Sequence, residues 1–424
     1  MKKNVLVFPC GSEIGLEIHR SLRFSTHFDL IGASSVDDHG KFVYENYIGS
    51  LPFVTDERFL PKIRELIGQY QIDAIYPAMD TVVTLLAKYG HTLSCKIIAS
   101  SYETTEICLS KSLTYWTLKD AVRIANVYQH ISEVVSYPVF IKPDIGYGAR
   151  GARLVHSVED AQMHLNHYPE SVIMEYLPGR EYTIDCFTNR HGELLFSGIR
   201  VRNRISNGIS VNTFEVHDHH DELQSMARNI NSRLKFRGGW FFQVKEDSNG
   251  NPVLLEVASR LGGSSSLFRN LGVNFALLSL FDAFDLDVNV FHNDFPIELD
   301  RALTSRYKVR ISFEKVYVDF DDCLLLSDKV NTSLVKLLYQ FLNDGKKLIL
   351  ITKHEHDIHA SLKRYKIEAI FDEVIHIDRG DKKYRYIDSK EAIFIDDSHA
   401  ERQEVHHKLG IPVFAPDSIA CLYH

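Results

Sequence analysis

Three aspartates follow a short apolar run near the end of the chain, in the stretch VYVDFDDCLL at 316–325. The apolar residues predict a buried strand, with Asp319, Asp321 and Asp322 at its end. One acid there would fit a turn, whereas three acids within four positions indicate a metal ion or a phosphate nearby. Open α/β sheets bind ligands beyond the carboxyl ends of their strands, which is where these acids would lie.

Three further polar positions follow this stretch in order. The strand KKLILIT ends at Thr352, the loop RGDKKYRYI supplies Lys382 or Lys383, and the strand EAIFIDD ends at Asp396 and Asp397. With the first stretch, this set resembles the four motifs of the haloacid dehalogenase-like (HAD) superfamily, whose usual first motif is DxDxT. The likeness covers 313–424 and implies a phosphatase domain with a Rossmann-like fold.

The HAD resemblance implies a role for each acid. Asp319 would attack phosphorus and form an aspartyl-phosphate, and Asp321 would protonate the leaving oxygen and then activate water. Mg²⁺ would be held by Asp319, a backbone carbonyl near Asp321, and the acids Asp396 and Asp397. The implied catalytic set is completed by Thr352 and by either Lys382 or Lys383.

This part of the chain departs from the HAD pattern in two residues and in its length. Asp322 stands where glycine is common, and Cys323 replaces the usual Thr or Val. About thirty residues separate Asp322 from Thr352, and about thirty more reach Lys382, enough for one helix and one strand each. A cap domain does not fit there, so the site needs a large substrate or a lid from the rest of the chain.

A glycine-rich loop follows a strand in FIKPDIGYGARGARLV at 140–155. Lys142 ends the strand, and Gly146, Gly148 and Gly151 lie around Arg150 in the loop. Glycines let backbone N–H groups turn toward an anion, and a nearby cation adds charge. Alone, the loop is equally consistent with an ordinary β-turn.

The next strands carry acids and arginines that fit a nucleotide pocket. VIMEYLPGREYTID places Glu175 at a strand end and Glu181 beyond the turn, as acceptors for adenine or ribose or as solvated hairpin residues. Arg200, Arg202 and Arg204 alternate along one strand and are predicted to share a face. That face would stabilise charge in phosphoryl transfer, or would simply be exposed.

Two oxygen ligands are predicted on a hairpin farther along. Gln243 lies on one strand and Glu256 on its partner, across the Asn-Gly turn at 249–250. Such a pair suits Mg²⁺, which takes one or two carboxylates and completes its shell with phosphates and water. Arg260 follows directly.

These pieces together resemble the ATP-grasp superfamily over roughly 1–305: KP with a glycine-rich loop, then MEYLPGREYTID, then LLEVASRLGG. Such enzymes bind ATP between two α+β subdomains and usually turn a carboxylate into an acyl phosphate, which an amine or another nucleophile attacks. The residues that the resemblance implies for ATP are Lys111, Lys142, Gly148 and Arg150 at the phosphates, Glu175, Tyr176 and Leu177 at adenine, and Glu181 at ribose.

The resemblance also implies a metal ion and a transfer site. Gln243 and Glu256 would bind Mg²⁺, with Mn²⁺ as an alternative ion. Arg260 would face the transferred phosphate or the acceptor carboxylate, and Arg202 would stabilise the developing charge. Many relatives carry E-x-N after the last strand, whose Asn is a further ligand, but Ala258 stands there in this chain and cannot coordinate.

Composition excludes other classes of function. The formal net charge of −8 argues against nucleic acid or an acidic membrane as a partner. No apolar run approaches the roughly 18 residues of a membrane span, and the short first apolar run predicts a strand rather than a signal peptide. Six scattered cysteines predict reduced thiols in a cytoplasmic protein.

The order of elements predicts a multidomain α/β and α+β protein. Alternating strands and helices predict a βαβ pre-ATP-grasp domain at 1–108 and a second α/β domain at 313–424. Mostly antiparallel strands predict the ATP-grasp domain at 109–305, with a polar linker at 306–312.

The leading hypothesis is a bifunctional enzyme with a ligase and a phosphatase site. Its substrates would be a small carboxylate, an amine and a phosphorylated metabolite. The resemblance to the ATP-grasp superfamily, whose members are often homodimers, implies a possible homodimer. One alternative makes the ATP-grasp part a kinase of a small metabolite. Another makes it a nucleotide-binding lid on the phosphatase.

Overall fold

The first hundred residues form a parallel sheet with helices on both faces. The computed structural model describes residues 2–146, 148–302 and 305–423. Its first elements are β1 (Lys3–Phe8), α1 (Glu13–Leu22), β2 (Phe28–Ala33), α2 (Gly40–Val43), β3 (Asn46–Ile48), α3 (Phe59–Tyr70), β4 (Ala74–Pro77), α4 (Asp80–Tyr89) and β5 (Lys96–Ile97). The strand order is β3-β2-β1-β4-β5, and every pair is parallel. The sheet matches the βαβ rhythm of the sequence.

The middle of the chain forms two antiparallel sheets that face each other across a cleft. Its elements are α5 (Tyr102–Leu109), α6 (Lys111–Leu118), β6 (Val127–Tyr128), β7 (Val139–Pro143), β8 (Arg153–Val155), α7 (Val158–His167), β9 (Ser171–Glu175), β10 (Glu181–Thr188), β11 (Leu194–Ser206), β12 (Ile209–Glu215), α8 (His220–Arg233), β13 (Gly238–Glu246), β14 (Pro252–Ala258), α9 (Ser266–Asn270), α10 (Phe275–Ala283), β15 (Ile297–Arg301) and β16 (Ser305–Val309). The smaller sheet has the order β6-β9-β7-β8, and the larger has β14-β13-β10-β11-β12-β15-β16.

The last part of the chain forms a second parallel sheet. Its elements are β17 (Lys315–Val318), β18 (Leu325–Leu326), β19 (Lys329–Val330), α11 (Thr332–Asn343), β20 (Lys347–Thr352), α12 (Ile358–Arg364), β21 (Glu373–His376), β22 (Ala392–Ile395), α13 (His399–Leu409) and β23 (Val413–Phe414). The order β21-β20-β17-β22-β23 reverses direction between β17 and β22. A doubly wound sheet opens a crevice for ligands at that reversal.

The linker predicted at 306–312 is not a linker over most of its length. Residues 305–309 form β16, which pairs antiparallel with β15 at the edge of the large sheet. The sequence there is polar because an edge strand needs only one packed face, so its composition resembles that of a loop.

One face of the C-terminal sheet packs in a cluster made almost wholly of its own residues, such as Tyr317, Ile349 and Phe394, whereas the other face shares a core with the rest of the chain. Buried side chains from all three parts, such as Val7, Phe268, Leu299, Val318 and Ile419, belong to one continuous hydrophobic cluster. The C-terminal part thus has its own sheet, with one face packed within that part and the other packed against the rest of the chain.

A buried group of polar residues joins the three parts, and we name it the three-way polar cluster: Glu17, Ser21, Arg269, Asn274 and Asp417. Arg269 Nε donates to Glu17 Oε1 at 2.7 Å, and both side chains are almost fully buried. Arg269 also donates to the carbonyl oxygen of Asp417. Asn274 Nδ2 donates to the Ser21 carbonyl at 2.8 Å and to the Asp417 carboxylate. Breaking one member of such a pair leaves a buried charge unpaired, which typically costs about 3–5 kcal/mol.

Two predictions from composition can be compared with the structure. All six cysteines carry free thiols. Over the described residues, no helix combines the length and the apolarity that a bilayer crossing requires.

Candidate active sites

The eight residues predicted to bind ATP all line one cavity of about 230 Å³ between the two antiparallel sheets. They are Lys111, Lys142, Gly148, Arg150, Glu175, Tyr176, Leu177 and Glu181. The strands β7 and β9 supply one wall, and β10, β11, β13 and β14 supply the other. A second cavity of about 290 Å³ adjoins it and shares Lys111, Arg202, Gln243 and Glu256.

Two lysines place positive charge in this cleft. Lys142, near the end of β7, is buried, and its Nζ donates to the Leu255 carbonyl at 2.9 Å. Burial lowers its pKa from 10.5 to about 8, against the opposing effect of Glu256 and Glu181. Lys111 begins α6, and its Nζ donates to the Asp144 carbonyl at 3.1 Å. Burial and the charge of Lys142 lower the pKa of Lys111 as well. A polyphosphate would stabilise both ammonium groups.

We expect nucleotide affinity to fall as the pH rises through about 8, because Lys142 then loses the proton that gives it charge. The effect of Lys142 on the free energy of unfolding has the opposite pH dependence. The unfolded lysine keeps its proton up to 10.5, so between about 8 and 10.5 folding becomes more favourable with rising pH. Titration of ADP binding against pH measures the first effect. Lys142→Met is the control, and an unchanged pH dependence in that variant would assign the titration to another group.

The three residues predicted to contact adenine line the first cavity together. The Glu175 carboxylate accepts from the Asn126 backbone N–H at 3.2 Å and from Asn126 Nδ2 at 2.7 Å. Leu177 is buried, whereas Tyr176 is exposed and lies under the ammonium of Lys245. Asn126 therefore fixes the orientation of the Glu175 carboxylate in the lining of this cavity.

The two predicted metal ligands lie side by side. Gln243 on β13 is the register partner of Glu256 on β14. Arg202 Nη1 donates to Gln243 Oε1 at 2.7 Å and pairs with Glu181, and its Nη2 donates to the Gly208 carbonyl at 2.6 Å. One amide oxygen and one carboxylate facing a cleft with two lysines fit Mg²⁺ that is shared with a polyphosphate.

The row of arginines divides, contrary to the prediction of one shared face. Arg200 and Arg202 both line the second cavity. The pairing register shifts between Arg202 and Arg204, and Arg204 pairs at the surface with Asp300 at 2.5 Å. The bulge turns the third side chain away, which simple alternation along a strand does not anticipate.

Two ion pairs line the second cavity, and of their four residues only Arg260 was singled out from the sequence. Arg260 lies here and pairs with Asp80, the first residue of α4, at 2.7 Å. Arg301 pairs with Glu13, the first residue of α1, at 3.2 Å. Asp80 and Glu13 each lie a few residues beyond a strand, at the start of the next helix, and that position was the available signal. The cavity offers cationic side chains for a carboxylate beside the predicted phosphate site.

The acids of the C-terminal sheet meet where the strand order reverses. Asp319 follows β17 and Asp396 follows β22. Lys383 Nζ lies 2.6 Å from a carboxylate oxygen of each. Burial and the neighbouring Asp396 raise the pKa of Asp319 well above its ordinary value, although Lys383 opposes this. Burial would lower the pKa of Lys383, but the two carboxylates raise it.

Asp397 completes a group of three carboxylates. Oxygens of Asp319, Asp396 and Asp397 lie within 4.8 Å of one another. Burial, with the charges of Asp396 and Asp322, raises the pKa of Asp397 to about 6. Hard oxygen donors at this spacing fit Mg²⁺, whose charge would relieve the repulsion among them. Asp322 has φ of 53°, in the left-handed region that glycine adopts most easily.

Only one of the two candidate lysines lies at this cluster. Lys382 points outward and pairs with Glu404 at 2.9 Å, whereas Lys383 is buried between the acids. Lys382 therefore lies outside this cluster, although it is adjacent to Lys383 in the chain. If this cluster hydrolyses a phosphoester, Lys383→Met should slow that reaction about 100-fold, because a fixed cation beside the phosphate is lost. Lys382→Met, measured in the same phosphate-release assay, should stay near the unsubstituted rate. Equal losses in the two variants would contradict this assignment.

Asp321 is held by a histidine that the sequence did not single out. His354 Nδ1 lies 2.9 Å from both carboxylate oxygens of Asp321, and its Nε2 lies 2.9 Å from Ser361 Oγ. Thr352 is buried, and its Oγ1 accepts from the His354 backbone N–H at 3.2 Å. His354 follows Thr352 by two positions, so its place just after a strand end was the available signal. The imidazole orients Asp321 beside the nucleophile candidate.

Comparisons with known proteins give the following matches. Residues 167–300 match a family model described as ATP-grasp in the biosynthetic pathway with Ter operon. No curated protein matches the chain. Among solved structures, the biotin carboxylase domain of Hydrogenobacter thermophilus 2-oxoglutarate carboxylase, in complex with MgADP, ADP and bicarbonate, has a TM-score of 0.60 at 14% identity, over 71% of this chain and 74% of that one.

Two further solved structures share the fold. N5-carboxyaminoimidazole synthetase from Staphylococcus aureus, complexed with ADP, has a TM-score of 0.59 at 16% identity over 71% of this chain and 83% of its own. The L-amino acid ligase from Bacillus licheniformis has a TM-score of 0.56 at 16% identity over 71% and 79%. At these identities the likeness is one of fold. With the match at 167–300, it shows that this chain contains an ATP-grasp domain.

Proposed function

We propose that the ATP-grasp part is an ADP-forming ligase that joins a small carboxylate to an amine. The observation that carries the proposal is the convergence of Lys111, Lys142 and the Gln243–Glu256 pair on one cleft, next to the cavity with Arg260. The two lysines and the Gln243–Glu256 pair suit a polyphosphate with its metal ion. The arginines of the adjoining cavity suit a carboxylate. The names of the neighbours, a synthetase, a carboxylase and an amino acid ligase, are compatible with this class.

The reaction would run in two steps. A carboxylate oxygen attacks the γ-phosphorus of ATP, the bond to the bridging oxygen breaks, and ADP leaves. The amine then attacks the acyl carbon, inorganic phosphate departs with its oxygen, and the amine gives a proton to water. Lys142 and Lys111 would hold the phosphates, and Arg260 would orient the acceptor. Gln243 and Glu256 would hold Mg²⁺, which neutralises phosphate charge when bound.

We further propose that the C-terminal part is a phosphatase of the HAD type. An oxygen of Asp319 attacks phosphorus, the ester P–O bond breaks, and the departing oxygen takes a proton from Asp321. Water then attacks the phosphorus, gives a proton to Asp321, and releases inorganic phosphate from Asp319. The burial of Asp319 and Asp396 around Lys383, at the switch point of a doubly wound sheet, supports this assignment.

A screen of amino acids and sugar acids with ATP tests the ligase proposal when ADP and free phosphate are followed separately. A ligase releases both in equal amounts, and only when carboxylate and amine are present together. Release of ADP without phosphate, with a single acceptor, would support the kinase alternative. Absence of turnover with every pair, together with measurable ADP binding, would leave the nucleotide-binding lid as the function of this part.

A further inference from the structure

A cavity of about 610 Å³ lies where the three parts of the chain meet. One wall comes from the turn between α1 and β2, residues 21–27. A second comes from α9, α10 and the segment that follows, up to Phe291. The third belongs to the C-terminal part and includes Asp322, Asp397 and Arg402. The cavity is distinct from the nucleotide cleft.

This cavity adjoins the group of three carboxylates at its exposed member, Asp397. Asp397 lines it, and its carboxylate belongs to the same group of oxygens as Asp319 and Asp396, all within 4.8 Å. Arg402 also lines it, and its Nη1 donates to the carbonyls of Asp396 and Asp397 at 2.7 Å each. A phosphomonoester bound beside Asp319, before its P–O bond breaks, would therefore lie next to this cavity, which has room for its organic group.

The wall opposite the acids is apolar and partly aromatic. It contains Phe24, Leu277, Leu278, Phe281, Leu286 and Phe291. The ring of His27 packs edge-on against Phe281 with centroids 5.2 Å apart, and Leu286 is 53% exposed at the rim. Flat aromatic faces favour ring-bearing ligands, and an exposed leucine gains by being covered.

The walls are fixed relative to one another. The floor contains Ser21, Arg269, Asn274 and Asp417 of the three-way polar cluster, whose hydrogen bonds cross from part to part. Asn293 adds two bonds to Val413, donating at 2.8 Å and accepting at 3.2 Å. The volume falls within the roughly 300–1,000 Å³ typical of small-molecule sites.

We propose that this cavity binds the organic group of the phosphatase substrate, a phosphomonoester with a largely apolar, ring-bearing group of about nucleoside size. Residues of the N-terminal and ATP-grasp parts would thus cover the substrate, as a cap domain inserted in the C-terminal part would. The inference rests on the proposed phosphatase function. It adds the substrate class and the residues that select it.

Two phosphoesters and two matched substitutions test this pocket. The probes are 4-methylumbelliferyl phosphate, which carries a fused ring, and glycerol 2-phosphate, which is small and polar. Thr26→Trp fills the cavity, whereas Thr55→Trp adds the same bulk on an exposed loop of the same sheet domain. We expect Thr26→Trp to lower kcat/KM for the ring-bearing ester at least about tenfold more than for glycerol 2-phosphate. Thr55→Trp should lower neither.

A second variant covers the case in which Thr26→Trp disturbs folding. Leu286→Ser changes an exposed rim residue and should raise KM for the ring-bearing ester several-fold, with kcat nearly constant. If both variants affect the two probes equally, or affect neither, the cavity is not the pocket. Asp319→Asn separates this from failure of the phosphatase itself. If that variant hydrolyses both probes as fast as the unsubstituted protein, the phosphatase and the pocket are both overturned.

Discussion

Asp319→Asn is expected to slow phosphoester hydrolysis by at least about 10³-fold, on the scale seen when other hydrolases lose their nucleophile. The amide nitrogen and oxygen of Asn lack the negative charge that attacks phosphorus. The substitution also removes one of the two carboxylates that hold Lys383 at 2.6 Å, so the cation no longer bridges the nucleophile and Asp396. Phosphate release from glycerol 2-phosphate, with product quantified over hours, measures the loss.

The control for this variant is Asp328→Asn, an exposed aspartate of the same sheet domain that accepts from Tyr365 Oη at 3.1 Å. It should hydrolyse the ester at the unsubstituted rate. ATP-dependent ADP formation should be equal in both variants, because the nucleotide cleft lies in other sheets. Full phosphatase activity in Asp319→Asn would exclude the aspartyl-phosphate route. Loss of ATP turnover in the same variant would instead indicate general unfolding.

Glu256→Gln should lower ATP-dependent ADP formation by about 10³-fold while nucleotide binding weakens less. Gln243 and Glu256 face each other on β13 and β14, and Glu256 is the one carboxylate of the pair. Ala258, where relatives carry an asparagine ligand, adds no oxygen beside it. Neutralising Glu256 therefore removes the whole negative charge that this pair offers to Mg²⁺.

The comparison variant is Glu170→Gln, which makes the same change at an exposed position of the ATP-grasp part. Initial rates of ADP formation at several Mg²⁺ concentrations measure the effect, and higher Mg²⁺ should recover part of the loss in Glu256→Gln. If Glu256→Gln retains every ATP-dependent activity at low Mg²⁺, the metal assignment is wrong. The nucleotide-binding lid would then be the better description of this part.

The candidate residues that short motifs carry were predictable because each lies at or near the end of its own strand. Lys142 is one residue before the end of β7, Glu256 is two before the end of β14, and Asp319 directly follows β17, so local pattern and strand order place them without knowledge of distant packing. The structure then brings each group together across strands. Pairing of parallel neighbours is what places Asp319 beside Asp396, although 77 positions separate them in the chain.

What the sequence could not provide depends on small geometric steps or on contacts far apart in the chain. A difference of one position decides which of Lys382 and Lys383 reaches Asp319. One bulge turns Arg204 away from Arg202. The pairing of Arg301 with Glu13 needs the whole fold before either side chain has a partner. Single-strand alternation contains none of this information, because it describes neighbours along the chain only.

The continuous hydrophobic cluster has a consequence for how the protein unfolds on heating. Leu271 of the ATP-grasp part and Leu350 of the C-terminal sheet belong to the same buried cluster, and Arg269 lies between Glu17 and Asp417. A domain that melts alone would have to expose one side of that interface and leave a buried charge without its partner. We therefore expect ATP turnover and phosphate release to be lost at the same temperature on heating, because the parts of the chain unfold together.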